Sequence, residues 1–234
     1  MSQTRLLAKL KASLGASAGD VVFGMEDGTV SIFGLVFGVA ATTNDQSAVL
    51  IAGASGAVAA AVSMMAGTYL DAETREDQVK VLDQRIAADL QRNSRAVIEG
   101  ITQRLQAAGL ARDQAEVAGD FLSSQPAILK GFAMALANPA AGSMESALVR
   151  SLWMLIADFL AAAIPILPFA FLSVPEGRIV SGLITTLLLV GLGVGRARIG
   201  GRNTSRTVIE TVSIGVAAAL AGVGIGVAIA HLAG

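Results

Sequence analysis

Val21-Val22-Phe23-Gly24-Met25-Glu26-Asp27-Gly28-Thr29-Val30-Ser31-Ile32-Phe33-Gly34-Leu35-Val36-Phe37-Gly38-Val39 decides how this chain folds. Apart from two adjacent acids, Glu26 and Asp27, every residue in it is apolar or small. Its length is that of a membrane-crossing helix, which needs about 20 mostly apolar residues. A charge at bilayer depth costs roughly 2.5–3.5 kcal/mol on the insertion scale, so acids kept there mark an ion or proton path. Successive residues of a helix point about 100° apart, so Glu26 and Asp27 do not face one point.

Working outward, four more apolar blocks of spanning length follow, at about 48–70, 147–172, 178–196 and 207–231. The composition agrees, with 53% hydrophobic residues, 15% charged residues and a mean hydropathy of +0.65 over 234 residues. Soluble domains carry roughly 25% charged residues. The expected fold class is therefore an all-α membrane protein with five transmembrane helices. A net charge of −1 gives no reason to expect nucleic acid as a partner, and the absence of cysteine excludes disulfides and thiolate sites. Basic residues set the orientation. Arg5, Lys9 and Lys11 precede the first span, and Arg196, Arg198, Arg202 and Arg206 join the fourth to the fifth. The N-terminus is then expected in the cytoplasm and the C-terminus outside.

Residues 71–146 read differently. Val79, Leu82, Ile86 and Leu90 recur at helical steps between charged positions. Further helices are expected at about 111–122 and 127–137, ending near Pro126 and at Asn138-Pro139. The expected organisation is 1–70, an N-terminal segment with spans one and two; 71–146, a small helical cytoplasmic insert; and 147–234, spans three to five.

Candidate chemistry rests on few residues. Span two carries Ser63-Met64-Met65. A carboxylate from span one and a thioether from span two make a mixed hard and soft site, which suits Fe(II) or Mn(II) better than Mg or Ca. Asp158 is a third intramembrane acid, followed by Ile164-Pro165-Ile166-Leu167-Pro168. Two prolines so close break the helical ladder and free carbonyls, which need a neighbour, water or an ion. Asp158 is open to either an ion-carrying or a structural reading. Glycines four apart, at 24/28, 34/38 and 222/226, permit close helix approach. No catalytic triad spacing or HExxH is present, so no enzyme and no permanently bound cofactor is expected.

The motifs in order are Gly19-Asp20-Val21-Val22-Phe23-Gly24, Asp27-Gly28, Ala61-Val62-Ser63-Met64 with Gly67 and Tyr69-Leu70, and Ile164-Pro165-Ile166-Leu167-Pro168-Phe169. In this order and spacing the chain resembles the vacuolar iron transporter family over nearly its whole length. The resemblance implies a homodimer that exports divalent metal, Fe(II) or Mn(II), from the cytoplasm by proton antiport. It implies metal contacts at Asp27 and Met64, and an acid at Asp20 just before the first span. Glu26, Met65 and Asp158 stand as further pathway candidates.

Departures from the family pattern are specific. A glutamate usual in the second span is here Gly56. Glutamates usual in the first insert helix fall on Ile86, Asp89, Val97 and Gly100, and a methionine pair of the third is reduced to Met134. The insert candidates are therefore Glu73, Glu76, Asp89 and Met134. A multi-carboxylate reservoir is not expected, and Asp158 is a candidate to replace the acid missing at Gly56. The rival readings are a transporter of the same fold with another cation or cargo, and a membrane scaffold that transports nothing. The expected partners are divalent metal ions, protons, the lipid bilayer and a second copy; the expected location is a bacterial inner membrane.

Overall fold

The computed structural model describes residues 3–138 and 146–233, the side chains of 3–6 and 233 excepted. Its described residues form helices only: α1 Gln3–Ala16, α2 Ala18–Thr42, α3 Gln46–Ala107, α4 Arg112–Ser124, α5 Pro126–Ala137, α6 Ala147–Ile166, α7 Pro168–Phe171, α8 Val174–Ile199 and α9 Thr204–Ala233. Five of them are long and apolar enough to cross a membrane: α2, α3, α6, α8 and α9. The protein is an all-α integral membrane protein. Pro139, expected to help end the third insert helix, lies outside the described residues.

The chain divides into two compact units. The first comprises 1–70 and 145–234 and the second 71–144.

In the first unit polarity is turned inward. Ile179, Leu183, Leu187, Ile209, Leu220, Ile225 and Ile229 are exposed, while Glu26, Thr29, Asp158, Ser181, Thr207 and Thr211 are buried. Apolar surface of this kind suits lipid, where helices associate by close packing rather than by the hydrophobic effect. At the centre stands α2, flanked by α6, α8 and α9. Its Gly24 and Gly28 face Met154 and Asp158 of α6; Gly34 and Gly38 face Ala218 and Gly222 of α9. A Cβ at Gly38 would strike the Gly222 carbonyl, and one at Gly226 would strike the carbonyl of Gly38. The glycine repeats thus form a seam inside one chain. Span two reaches α2 one face further round, where Val49 and Ala57 join Ile32, Val36, Ala40, Ala162, Phe169 and Val174 in the apolar core.

Span three is shorter than its apolar run. Rather than continuing to residue 172, α6 ends at Ile166, and α7 begins at Pro168. The break follows from the two prolines, each of which lacks the N–H that would continue the ladder. Beside the break, Ser181 Oγ donates to the Pro165 carbonyl at 2.7 Å, and Gln46 Nε2 to that of Phe169 at 2.6 Å.

In the second unit, the stretch of α3 after residue 70 packs with α4 and α5 around Ile86, Ile101, Leu122, Leu129 and Ala133. Asn93 leaves the helical region at φ −158° and ψ 79°. Its Oδ1 accepts from the Ala96 N–H at 3.1 Å. A side chain that accepts three residues on is an N-cap, so the helix restarts there. Pro126 occupies the first turn of α5, where its missing N–H costs nothing.

Candidate metal pathway

The acids at membrane depth sort themselves by partner. Glu26 is buried and takes Arg196 Nη1 at 2.9 and 3.3 Å on its two oxygens. Thr211 Oγ1 donates to the same carboxylate at 3.2 Å. Asp20 accepts a bidentate pair from Arg150, Nε at 2.9 Å and Nη2 at 3.0 Å, which ties the start of α2 to α6. A fork-to-fork arginine pair satisfies both carboxylate oxygens at once. Each of these acids is thus charge-paired with an arginine.

Asp27 differs. It is half-buried and has no hydrogen bond or ion pair among the described residues. It lines an open cavity of about 460 Å³ with Val22, Phe23, Glu26, Val30, Arg196 and Ile214. The cavity walls come from α2, α8, α9 and the link between α8 and α9, and α3 supplies none of them. Met64 and Met65 are half-buried on α3, outside this lining.

Asp158 is fully buried, and both of its carboxylate oxygens lack a partner among the described residues. A Cβ at Gly28 would meet its carbonyl and come within 2.9 Å of Oδ1, so glycine is what admits this acid against α2. A buried carboxylate with no protein partner is costly enough to call for a role. Gly56 meets α2 elsewhere, at Ile32 and Leu35. Those residues lie roughly 6–10 Å further along the α2 axis than Gly28, at 1.5 Å per residue. Asp158 thus packs against α2 beside Gly28, at a different level from Gly56.

The insert residues do not converge. Glu73 and Asp89 are exposed and Glu76 is half-exposed, and Met134 packs on the apolar cluster around Ile86 and Ile101. No group of three or more His, Cys, Asp or Glu side chains able to hold a metal occurs among the described residues. Charges of this unit pair along its surface instead. Asp77 hydrogen-bonds Lys80 at 2.9 Å and holds its ammonium above the ordinary lysine range.

Sequence reasoning singled out Asp27 and Asp158 but missed Arg150, Arg196 and Thr211. For Arg196 a signal existed: it is a basic residue in the last turn of a span, at the level of the first span's acids.

Comparison with known proteins finds relatives along nearly the whole chain. The chain is 26% identical to vacuolar iron transporter 1 of Arabidopsis thaliana, covering 88% of this chain and 84% of that protein. It is 25% identical to vacuolar iron transporter 1 of Eucalyptus grandis, covering 94% and 90%. It is 24% identical to the vacuolar iron transporter of Centaurea cyanus, covering 88% and 85%. Residues 18–227, from the start of α2 to well into α9, match the model of the VIT family, and the chain belongs to that family.

Proposed function

We propose that this protein is a transporter, not an enzyme, and that it moves Fe(II) or Mn(II) out of the cytoplasm in exchange for protons. One observation carries the reading: of the two acids in the α2 cavity, Glu26 is neutralised by Arg196, whereas Asp27 is unpaired in that open cavity. A single carboxylate in a membrane cavity attracts a cation yet binds it weakly enough to release it. The relatives' names supply the cargo, iron.

Asp27 is the hard ligand and Met64 the soft one. Since α3 does not line the cavity, a homodimer is the arrangement that would complete the site, with a second copy presenting its thioether. Asp158, unpaired one residue from Asp27's position on α2, is the reserve carboxylate of the same pathway. In this reading the N-terminus is cytoplasmic and the C-terminus outside. The membrane is read as a bacterial inner membrane, although the plant relatives are named for the vacuole; tagging and fractionation in the source cell decide this.

The test is flux of Fe(II), Mn(II), Co(II) and Zn(II) into liposomes holding the protein, with and without a pH gradient. Metal uptake that follows the gradient and is lost in Asp27→Asn is the expected result. Absence of flux for every metal defeats the reading.

A further inference from the structure

We propose that Arg196 is a tethered counter-charge that sets how tightly the Asp27 cavity holds a divalent cation, by keeping Glu26 out of the ligand set. This rests on the reading of Asp27 as the cation ligand.

The geometry is specific. Arg196 lies in the last turn of α8, and it lines the same cavity as Glu26 and Asp27. Its Nη1 meets both Glu26 oxygens, and Thr211 Oγ1 supplies a third contact. The Glu26 side chain is 11% exposed, so water does not compete well for it. Arg202 also lines the cavity, but its guanidinium is engaged by Glu210 at 3.1 Å.

Charge counting then fixes the role. Glu26, Asp27 and Arg196 together carry one negative charge. Without the guanidinium, two adjacent carboxylates would carry two. Affinity for hard divalent ions rises with the number of ligand charges. A transporter needs release as well as capture, so a stronger site traps its cargo. Arg196 is thus a positioning residue that holds the site at single charge. Its guanidinium also repels a cation that approaches Glu26 directly.

The experiment measures Mn(II) binding to the purified full chain by the loss of the free-ion EPR signal, with Mn(II) flux in liposomes alongside. Arg196→Gln is expected to lower Kd about tenfold, from the added ligand charge, and to lower both KM and the maximal flux. Arg196→Lys should stay near wild type. Glu26→Gln combined with Arg196→Gln restores the single charge and should return Kd to within about threefold of wild type. An unchanged Kd in Arg196→Gln overturns the proposal, as does a double variant that binds as tightly as that single variant. A merely structural pair would lower the amount of folded protein and leave Kd alone. Should Arg196→Gln not fold, the double variant decides: a Kd near wild type supports the proposal and a tenfold change overturns it. Tighter Mn(II) binding in Arg196→Gln without flux in any variant defeats the transport reading and leaves this one standing. Mn(II) binding that ignores Asp27→Asn defeats both.

Discussion

The membrane unit and the insert draw on the same acids and bases, yet the acids of the membrane unit's first span are used quite differently from those of the insert. In the membrane unit, Asp20–Arg150 and Glu26–Arg196 join residues 130 and 170 positions apart, on different helices. In the insert, Asp71–Arg75, Asp77–Lys80 and Glu116–Arg112 pair within one helical turn on the surface. Only Asp83–Lys130 reaches across helices among the described insert pairs, and it stays nearly half-exposed. Exposed pairs of this kind contribute about 0–1 kcal/mol, whereas breaking a buried one costs about 3–5 kcal/mol. The lesson is that counting acids misjudges both units. The insert is rich in carboxylates and gathers none of them; the membrane unit has few, and the partner of each decides what it does.

This contrast is open to attack in order of expected effect. Asp27→Asn should reduce metal flux about a thousandfold, since it removes the one unpaired carboxylate of the cavity; flux within tenfold of wild type would erase the difference between the two units. Gly222→Leu forces a branched side chain into the α2–α9 seam and should destabilise the membrane unit by about 2–3 kcal/mol, read as a lower midpoint in thermal unfolding in detergent. The same change at Gly131, where a Cβ meets nothing within 4 Å, should shift that midpoint little. Arg150→Ala leaves Asp20 unpaired at a site 19–23% exposed and should cost about 2 kcal/mol, between the exposed and buried limits. The smallest effect belongs to the insert. Glu73→Gln, Glu76→Gln and Asp89→Asn together should change flux less than about twofold, as exposed charges on a solvated face do. A tenfold loss there would restore a metal-gathering role to the insert.

The spans were legible because bilayer thickness imposes a length that composition alone betrays. The insert helices were legible from Pro126 and from the repeat of Val79, Leu82, Ile86 and Leu90. Asp27 was legible because a charge stands out in an apolar run. The fate of its neighbour was not: nothing near Glu26 in sequence names Arg196 or Thr211, and only the return of α8 and α9 to α2 brings them. Pro165 and Pro168 announced a break, but not the serine and the glutamine from other helices that donate to carbonyls beside it. Met134 stood as an insert candidate through the family resemblance alone, and its packing, partly buried on an apolar cluster, was not legible. The candidate exchange of an acid at position 56 for Asp158 was written in the sequence, but not that Asp158 meets α2 at Gly28 while Gly56 meets it at Ile32 and Leu35.

The glycine seam between α2 and α9 has a consequence for how this sequence can drift. At Gly34, Gly38, Gly222 and Gly226 the opposing carbonyl stands where a methyl would go, so even alanine is excluded and no compensating change on the other helix relieves it. Nearby lipid-facing residues such as Leu220 and Ile229 meet no such limit. In a saturation library selected for function, the two helices should appear as matching stripes of forbidden substitution, four residues apart, against a permissive background. Variation alone would then reveal which helix lies beside which, and in what register.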